Sequence, residues 1–408
     1  MDKFIPLSIP NFEGNEKKYV VDAIDSTFVS TVGGYVSKFE ENLASFLNVE
    51  RVVACQSGTS AIHLCLVECG IQPGDTVIVP TLTFIAAVNP VLYQQAIPIF
   101  MDCDKSLCMD PLKLSEFCEK ECHYQSGKLY FQGSHIKAIV IVHVFGNMAD
   151  MESIMQIAEN YNICVIEDAT EALGTYYIDG RYRGRLAGTI GDFGCFSFNG
   201  NKIITTGGGG AVVSKHNDRL EHIKYLSTQA KNDPLYFIHD ELGYNYRMTN
   251  LQAALGVAQL EELPDFIRRK NNNYSIYKDE ISKIDGLSLL EFRSNVSSNK
   301  WFYSLYVNDE YFLSNIELLN HLKKHQIQTR CIWGLIHRQK MYMNYYAYKI
   351  EAAYDYQNHV INLPCSTNLS EEDIKMIVNI INGDNFVPGG GYQVNKGCRS
   401  LFGLEVAA

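Results

Sequence analysis

The chain has no surplus of positive charge, no long apolar run and no paired-cysteine motif. Each absence removes a class of function. Its 46 acidic and 35 basic side chains leave a net charge of −11 over 408 residues. That balance argues against a nucleic-acid surface or a polybasic membrane anchor. It does not exclude an anionic small ligand, because a pocket can be locally basic. No apolar run approaches the roughly 18 residues that cross a bilayer, and the first six residues lack the apolar core of a secretory signal. The twelve cysteines are scattered and form no Cys-x-x-Cys. Cys65/Cys69 and Cys118/Cys122 stand one helical turn apart, without His or Cys partners at zinc spacing. The expectation is reduced thiols in a cytoplasmic protein that holds no metal. No Gly-x-Gly-x-x-Gly follows a strand, which speaks against a dinucleotide-binding oxidoreductase. No internal repeat is present.

What the chain does have is an alternation of short apolar runs and helical patterns. Residues 51–54, 76–79, 136–144, 163–167, 193–198 and 211–213 read as strands. Residues 58–69 and 151–161 read as helices. The run at 136–144 is almost wholly apolar, as a strand buried on both faces should be. Such alternation predicts an α/β domain with a mostly parallel sheet. Residues 249–263 read as a helix closed by Pro264, and the length suits more than one unit. The predicted division is therefore 1–263 for a large α/β domain with the N-terminal segment and 264–383 for a smaller α+β domain. The second would hold helices at 267–284 and 315–325, a strand at 301–307 and a last helix capped at Ser370. Residues 128–133 read as a surface loop. Residues 384–408 are expected to be a flexible tail, part of it a cloning remnant.

Ligands of open α/β sheets sit beyond the carboxyl ends of the strands, so the residues just past those ends matter most. Ser197-Phe198-Asn199-Gly200-Asn201-Lys202, followed by Gly207–Gly210, joins two predicted strands. Glycines let the backbone approach a ligand closely, Ser197 can donate to a phosphate, and Lys202 is a candidate nucleophile. The plain alternative is a surface turn with a solvated lysine. Asp168 closes a buried apolar strand, where a carboxylate needs a cationic partner; otherwise it is a helix N-cap. Ser57-Gly58-Thr59 opens a helix and could bind an anion or merely cap. Phe84 could stack on a ring or belong to the core. His143 could act in catalysis or be a satisfied buried histidine. Gly243-Tyr244-Asn245-Tyr246-Arg247 alone is only a loop.

In order and spacing these segments resemble the DegT family of sugar aminotransferases, over about residues 5–385. The subgroup most similar aminates nucleotide-linked 4-keto-6-deoxy-N-acetylhexosamines on routes to bacillosamine and legionaminic acid. Ile5–Asn11, Pro80–Phe84 and His143–Asn147 carry that finer likeness. The resemblance implies the type I fold of pyridoxal 5'-phosphate (PLP) transferases, with a seven-stranded, mostly parallel sheet in the large domain. It implies that Lys202 carries PLP, that Asp168 pairs with the pyridine nitrogen, and that Gly58, Thr59 and Ser197 hold the phosphate. Phe84 would stack on the ring, where many relatives have tryptophan. Asn245 would reach the phosphate of a neighbouring subunit, making the active unit a homodimer with shared sites. Glu171 falls where many relatives carry glutamine or histidine near the cofactor's phenolic oxygen, and two ionised groups there would repel. Ser30, Lys231, Arg247 and Arg330 are candidates for the nucleotide sugar. Family members that dehydrate or deoxygenate sugars have histidine in place of the lysine, so Lys202 points to transamination, with L-glutamate as donor. The alternatives are amination of a 3-keto sugar or a non-catalytic PLP- or nucleotide-sugar-binding protein.

Overall fold

The computed structural model describes residues 3–383 except 234. The expected tail at 384–408 lies outside the described residues. Seven strands form the heart of the main sheet in the order Val53–Cys55, Gly210–Ser214, Phe193–Ser197, Cys164–Asp168, Ser134–Val142, Thr76–Pro80, Ile97–Met101. The pairs from 193–197 across to 97–101 are all parallel. Gly210–Ser214 alone among the seven runs the other way, antiparallel to both neighbours. Helices cover both faces, which is why Ile139, Val140, Ile141 and Val142 are all buried instead of alternating.

Ala347–Tyr348 and the hairpin His123–Gln125/Lys128–Phe131 extend this sheet to ten strands. Residues 128–131 were expected to be loop. They instead pair antiparallel with Ser134–Val142, Leu129 facing Ile136. Leu129 and Phe131 are buried while Lys128 is exposed. That two-residue period is short, and the flanking polar residues obscure it.

Helix Asn250–Ile281 corrects a second expectation. It is continuous for 32 residues and passes through Pro264, merging the two helices predicted on either side. Proline removes one backbone hydrogen bond and crowds the preceding turn, costing about 3 kcal/mol. Burial compensates: Leu263, Phe266, Lys270, Tyr274, Tyr277 and Ile281 continue one inward stripe across the proline. A Thr249–Gln252 capping box starts the helix. The division predicted at 263/264 therefore falls inside a helix that packs on both parts of the chain. The N-terminal segment, grouped with the first part on sequence, hydrogen-bonds to the second through Ile5 with Gln326 and Gln328.

The second part holds a four-stranded antiparallel sheet ordered Leu287–Leu289, Tyr303–Val307, Val360–Leu363, Arg330–Cys331. Helices Asn315–Lys324 and Glu371–Ile381 begin at capping boxes on Ser314 and Ser370. The described cysteines are all free. No described helix is long and apolar enough to cross a membrane.

Candidate active site

The carboxyl ends of the parallel strands bring the sequence-predicted residues together. Ser197 ends one strand and lies in register with Gly210 on the next. Both face the start of helix Gly58–Glu68. A Cβ placed on Gly210 would stand 2.4 Å from the Ser57 carbonyl oxygen, and one on Gly58 would stand 3.0 Å from Ser197 Cβ and 2.9 Å from Thr170 Cγ2. Only glycine permits these approaches. Ser57 caps the helix, its hydroxyl accepting the Ser60 N–H at 3.0 Å. The first N–H groups of a helix have no partner within it, so Gly58 and Thr59 present theirs at the positive end of the helix dipole. The Ser197 hydroxyl beside them has no protein partner among the described residues. This cup fits a phosphate.

Asp168 ends the central strand and is buried, 4% exposed. Its carboxylate accepts the Thr170 N–H at 3.0 Å and has no ion-pair partner among the described residues. Burial raises its pKa, with Thr170 and the more distant Lys202 and His143 pulling the other way. A buried carboxylate of this kind suits a cationic ring N–H, the charge a pyridinium would bring. Phe84, four residues past the end of strand Thr76–Pro80, two strands over in the sheet, is 55% exposed despite its size, as a platform for a planar ring would be.

Lys202 follows the Ser197 strand by five residues, in a turn closed by its N–H to the Asn199 carbonyl at 3.0 Å. Its side chain is 12% exposed, and Nζ lies 3.6 Å from Glu171 Oε1. Glu171 is buried and accepts the Phe145 N–H at 2.8 Å through Oε2. Burial pushes its carboxyl up to about 7, against the lowering influence of Lys202. A carboxyl that keeps its proton near neutrality relieves the repulsion expected next to a phenolic oxygen.

His143 is the residue whose predicted role the geometry corrects. Its Nδ1 accepts the Ala149 N–H at 3.2 Å, which leaves the ring proton on Nε2, 2.9 Å from Glu167 Oε2. Glu167 also accepts N–H groups from Gly188, Ile190 and Gly191. With both nitrogens engaged, the ring has no lone pair or proton for a reacting atom. His143 is the satisfied buried histidine of the two readings, and its N–H to the Asp168 carbonyl at 3.1 Å helps fix that strand end.

Among the described residues the remaining candidates make no hydrogen bond, ion pair or ring contact with Lys202. Asn245 is exposed, on a stretch bridged to Thr228, with Arg247 bridged to Cys55 just before the cup. Lys231 is on the Lys231–Asp233/Ile238–His239 hairpin, over the Phe237 ring. Ser30 is exposed, and its carbonyl accepts the Asn250 N–H. Arg330 is exposed on an edge strand of the second sheet. Sequence reasoning missed Trp301, whose ring lies 4.1 Å from Lys202 Nζ, and Thr170, which was discoverable as the neighbour of Asp168. Among the described residues no cluster of His, Cys, Asp or Glu is suited to a metal.

A model of the DegT/DnrJ/EryC1/StrS aminotransferase family matches residues 10–382. GDP-perosamine synthase of Escherichia coli O157:H7 is 38% identical over 93% of this chain and 98% of its own length. The UDP-4-amino-4,6-dideoxy-N-acetyl-beta-L-altrosamine transaminase of Campylobacter jejuni is 28% identical over 86% of this chain and 89% of its own. Among solved structures, Helicobacter pylori PseC, an aminotransferase in the biosynthesis of pseudoaminic acid, shares the fold. Its TM-score is 0.83 at 24% identity, covering 93% of this chain and 98% of PseC. The cup, the unpaired buried aspartate and the shielded lysine fit PLP, and the chain belongs to the DegT/DnrJ/EryC1/StrS family as a PLP-dependent sugar aminotransferase.

Proposed function

We propose that this protein moves an amino group from L-glutamate to the C4 carbonyl of a nucleotide-linked 4-keto-6-deoxy-N-acetylhexosamine, in the biosynthesis of a surface glycan. The observation that carries the reading is Lys202, its amine shielded beside Glu171 five residues after the strand whose end, Ser197, lines the phosphate cup. The name of the Campylobacter relative, a transaminase of a 4-amino-4,6-dideoxy-N-acetyl sugar on UDP, supports the substrate class.

When bound, PLP supplies an electron sink that stabilises the charge left on carbon as a proton departs. The Gly58 and Thr59 N–H groups and the Ser197 hydroxyl hold its phosphate. Asp168 accepts the ring N–H and keeps that nitrogen protonated. Phe84 forms one wall. Lys202 Nζ takes the proton from the donor's α-carbon and later delivers one to C4 of the sugar, as general base and then acid. Glutamate leaves as 2-oxoglutarate before the sugar reacts, so one site serves both half-reactions in turn.

The nucleotide sugar needs cations, and Lys231, Arg247 and Arg330 are the candidates, with Ser30 as a further polar candidate. We assign Asn245 to the cofactor phosphate of a second copy in a homodimer. The apolar side chains exposed on and near its hairpin, Leu235, Tyr236, Phe237 and Leu242, support an interface there. A second reading, a GDP-linked sugar, is favoured by the relatives named GDP-perosamine synthase, the Escherichia coli one at 38% identity.

The test is to incubate the protein with PLP, glutamate and 4-keto-6-deoxy sugars on UDP or GDP, with and without the N-acetyl group, and to follow 2-oxoglutarate. Turnover confined to the UDP-linked N-acetyl sugar supports the first reading, and turnover of the GDP-linked sugar the second. No release with any of them overturns both.

A further inference from the structure

A transaminase lysine leaves its cofactor and returns to it in each half-reaction. While detached, its amine must stay within reach of the reacting carbon and out of bulk water. The structure places the Lys202 amine between two side chains. One side of Nζ is the Glu171 carboxyl at 3.6 Å. The other is the indole face of Trp301, whose centroid is 4.1 Å away. A cation over an indole is attracted by the ring quadrupole, and more strongly where water is excluded.

The indole is fixed by contacts that also fix the lysine. Trp301 Nε1–H donates to the Asn201 carbonyl at 2.8 Å, the peptide group immediately before Lys202. Its ring stacks on Phe302 at 4.1 Å between centroids. The Trp301 N–H donates to Asn299 Oδ1 at 3.0 Å, while Asn299 Nδ2 donates to the carbonyls of Glu171 and Leu173 at 3.1 and 2.9 Å. Residues 299–301 thus tie the Glu171 turn to the Lys202 turn. Behind them, buried Lys270 donates to the Trp301 carbonyl at 2.8 Å and the Cys365 carbonyl at 2.6 Å. It has no ion-pair partner among the described residues, and two of its donors are spent on holding backbone.

We propose that Trp301 is a positioning residue for Lys202: its indole face and the Glu171 carboxyl form a two-sided berth that receives the lysine amine whenever it is detached from PLP. The berth keeps the amine desolvated, close to the turn it came from and aimed back at the cup. Trp301 acts through Lys202 and makes no bond to the cofactor. The inference rests on Lys202 being the cofactor's lysine, not on which sugar is the substrate.

The test uses the cofactor-free full-length protein and pulse acylation with acetic anhydride, reading Lys202 modification by mass spectrometry against the exposed Lys340 as internal standard. Trp301→Leu should raise Lys202 labelling about tenfold by removing the aromatic face, while Trp301→Phe, which keeps a face, should raise it about threefold or less. Glu171→Gln keeps the shape of the other side but removes the carboxylate that holds the ammonium form, and should raise labelling as well. In the same series, capture of added PLP, followed by its protein-bound absorbance, should slow in the same order. Equal labelling in wild type and Trp301→Leu overturns the berth. So does equal labelling in the Leu and Phe variants, which would assign Trp301 a purely structural role through its N–H. If Trp301→Leu does not fold, the comparison of wild type, Trp301→Phe and Glu171→Gln decides: no increase in either variant overturns the proposal. Borohydride reduction of the PLP-loaded wild type separates this from the underlying reading. An adduct on any lysine but Lys202 removes the cofactor assignment, whatever the labelling shows.

Discussion

The phosphate cup and the cover over Lys202 are assembled from different distances along the chain. The cup joins Ser57–Thr59, Ser197 and Gly210, all at the ends of adjacent strands of one sheet. The cover comes from Asn299–Trp301, with Trp301 bonded to a residue 100 positions earlier. The cup works through backbone N–H groups and glycines, so it depends on where strands end. The cover works through one ring and one amide, so it depends on how the second sheet packs on the first. The first can be read from local pattern; the second exists only once the chain has folded.

Changes to the lysine that both regions serve should have the largest effect. Lys202→Ala should abolish turnover and the visible absorbance of bound PLP, with the far-ultraviolet dichroism unchanged, since the Trp301 ring and the Glu171 carboxyl it lies against are held by other contacts. A persisting band in this variant would assign the cofactor to another lysine. Asp168→Asn breaks the cup side alone. It removes the charge that keeps the ring nitrogen protonated and should lower kcat about 100-fold. KM for glutamate should change little. A loss confined to KM would remove Asp168 from its assigned place.

How much could be read in advance follows the same division. Ser197–Lys202, Ser57–Thr59 and Asp168 are contiguous segments at strand ends, where apolar runs stop and polar residues begin. Their gathering follows from parallel topology alone. Four features were not legible, each for a physical reason. The strand at Lys128–Phe131 shows its period through two buried residues only. The helix through Pro264 survives because tertiary burial outweighs a local penalty. His143 fits catalysis and burial equally well by residue type, and the two hydrogen bonds that decide between them belong to distant Glu167 and to Ala149. Trp301 sits in an apolar run that reads as ordinary core, and only the fold sets it against Lys202.

Glu171 belongs to neither half by sequence and touches both, and its titration sharpens the comparison. Its carboxyl rises from the usual 4.5 to about 7 through burial. The folded, cofactor-free protein therefore binds this proton more tightly than the unfolded chain. The contribution of this carboxyl to stability is full below about 4.5 and falls as pH rises toward 7, by about 3 kcal/mol at 1.36 kcal/mol per pH unit. Glu171→Gln should flatten that part of the Tm-against-pH curve. An unchanged slope would assign the titration to another group. With PLP bound, the slope should change, because the cofactor and the lysine amine alter the charges facing this carboxyl.

The smallest effect concerns a contribution from outside the chain. Asn245 is exposed, and on the homodimer reading it serves the partner's cup. Asn245→Ala then loses one hydrogen bond to a phosphate, and PLP affinity should fall about tenfold. Mixing decides whether the contact is made between copies. An Asn245→Ala chain paired with a Lys202→Ala chain has one site lacking both residues. Its other site has Lys202 from one copy and Asn245 from the other, and is intact. Subunit exchange between the two variants should therefore restore PLP affinity at the lysine-bearing sites. If Asn245 acts within its own chain, every such site stays weak. Affinity that does not recover on exchange would return Asn245 to the cup of its own subunit and leave the exposed hairpin without a role in the site.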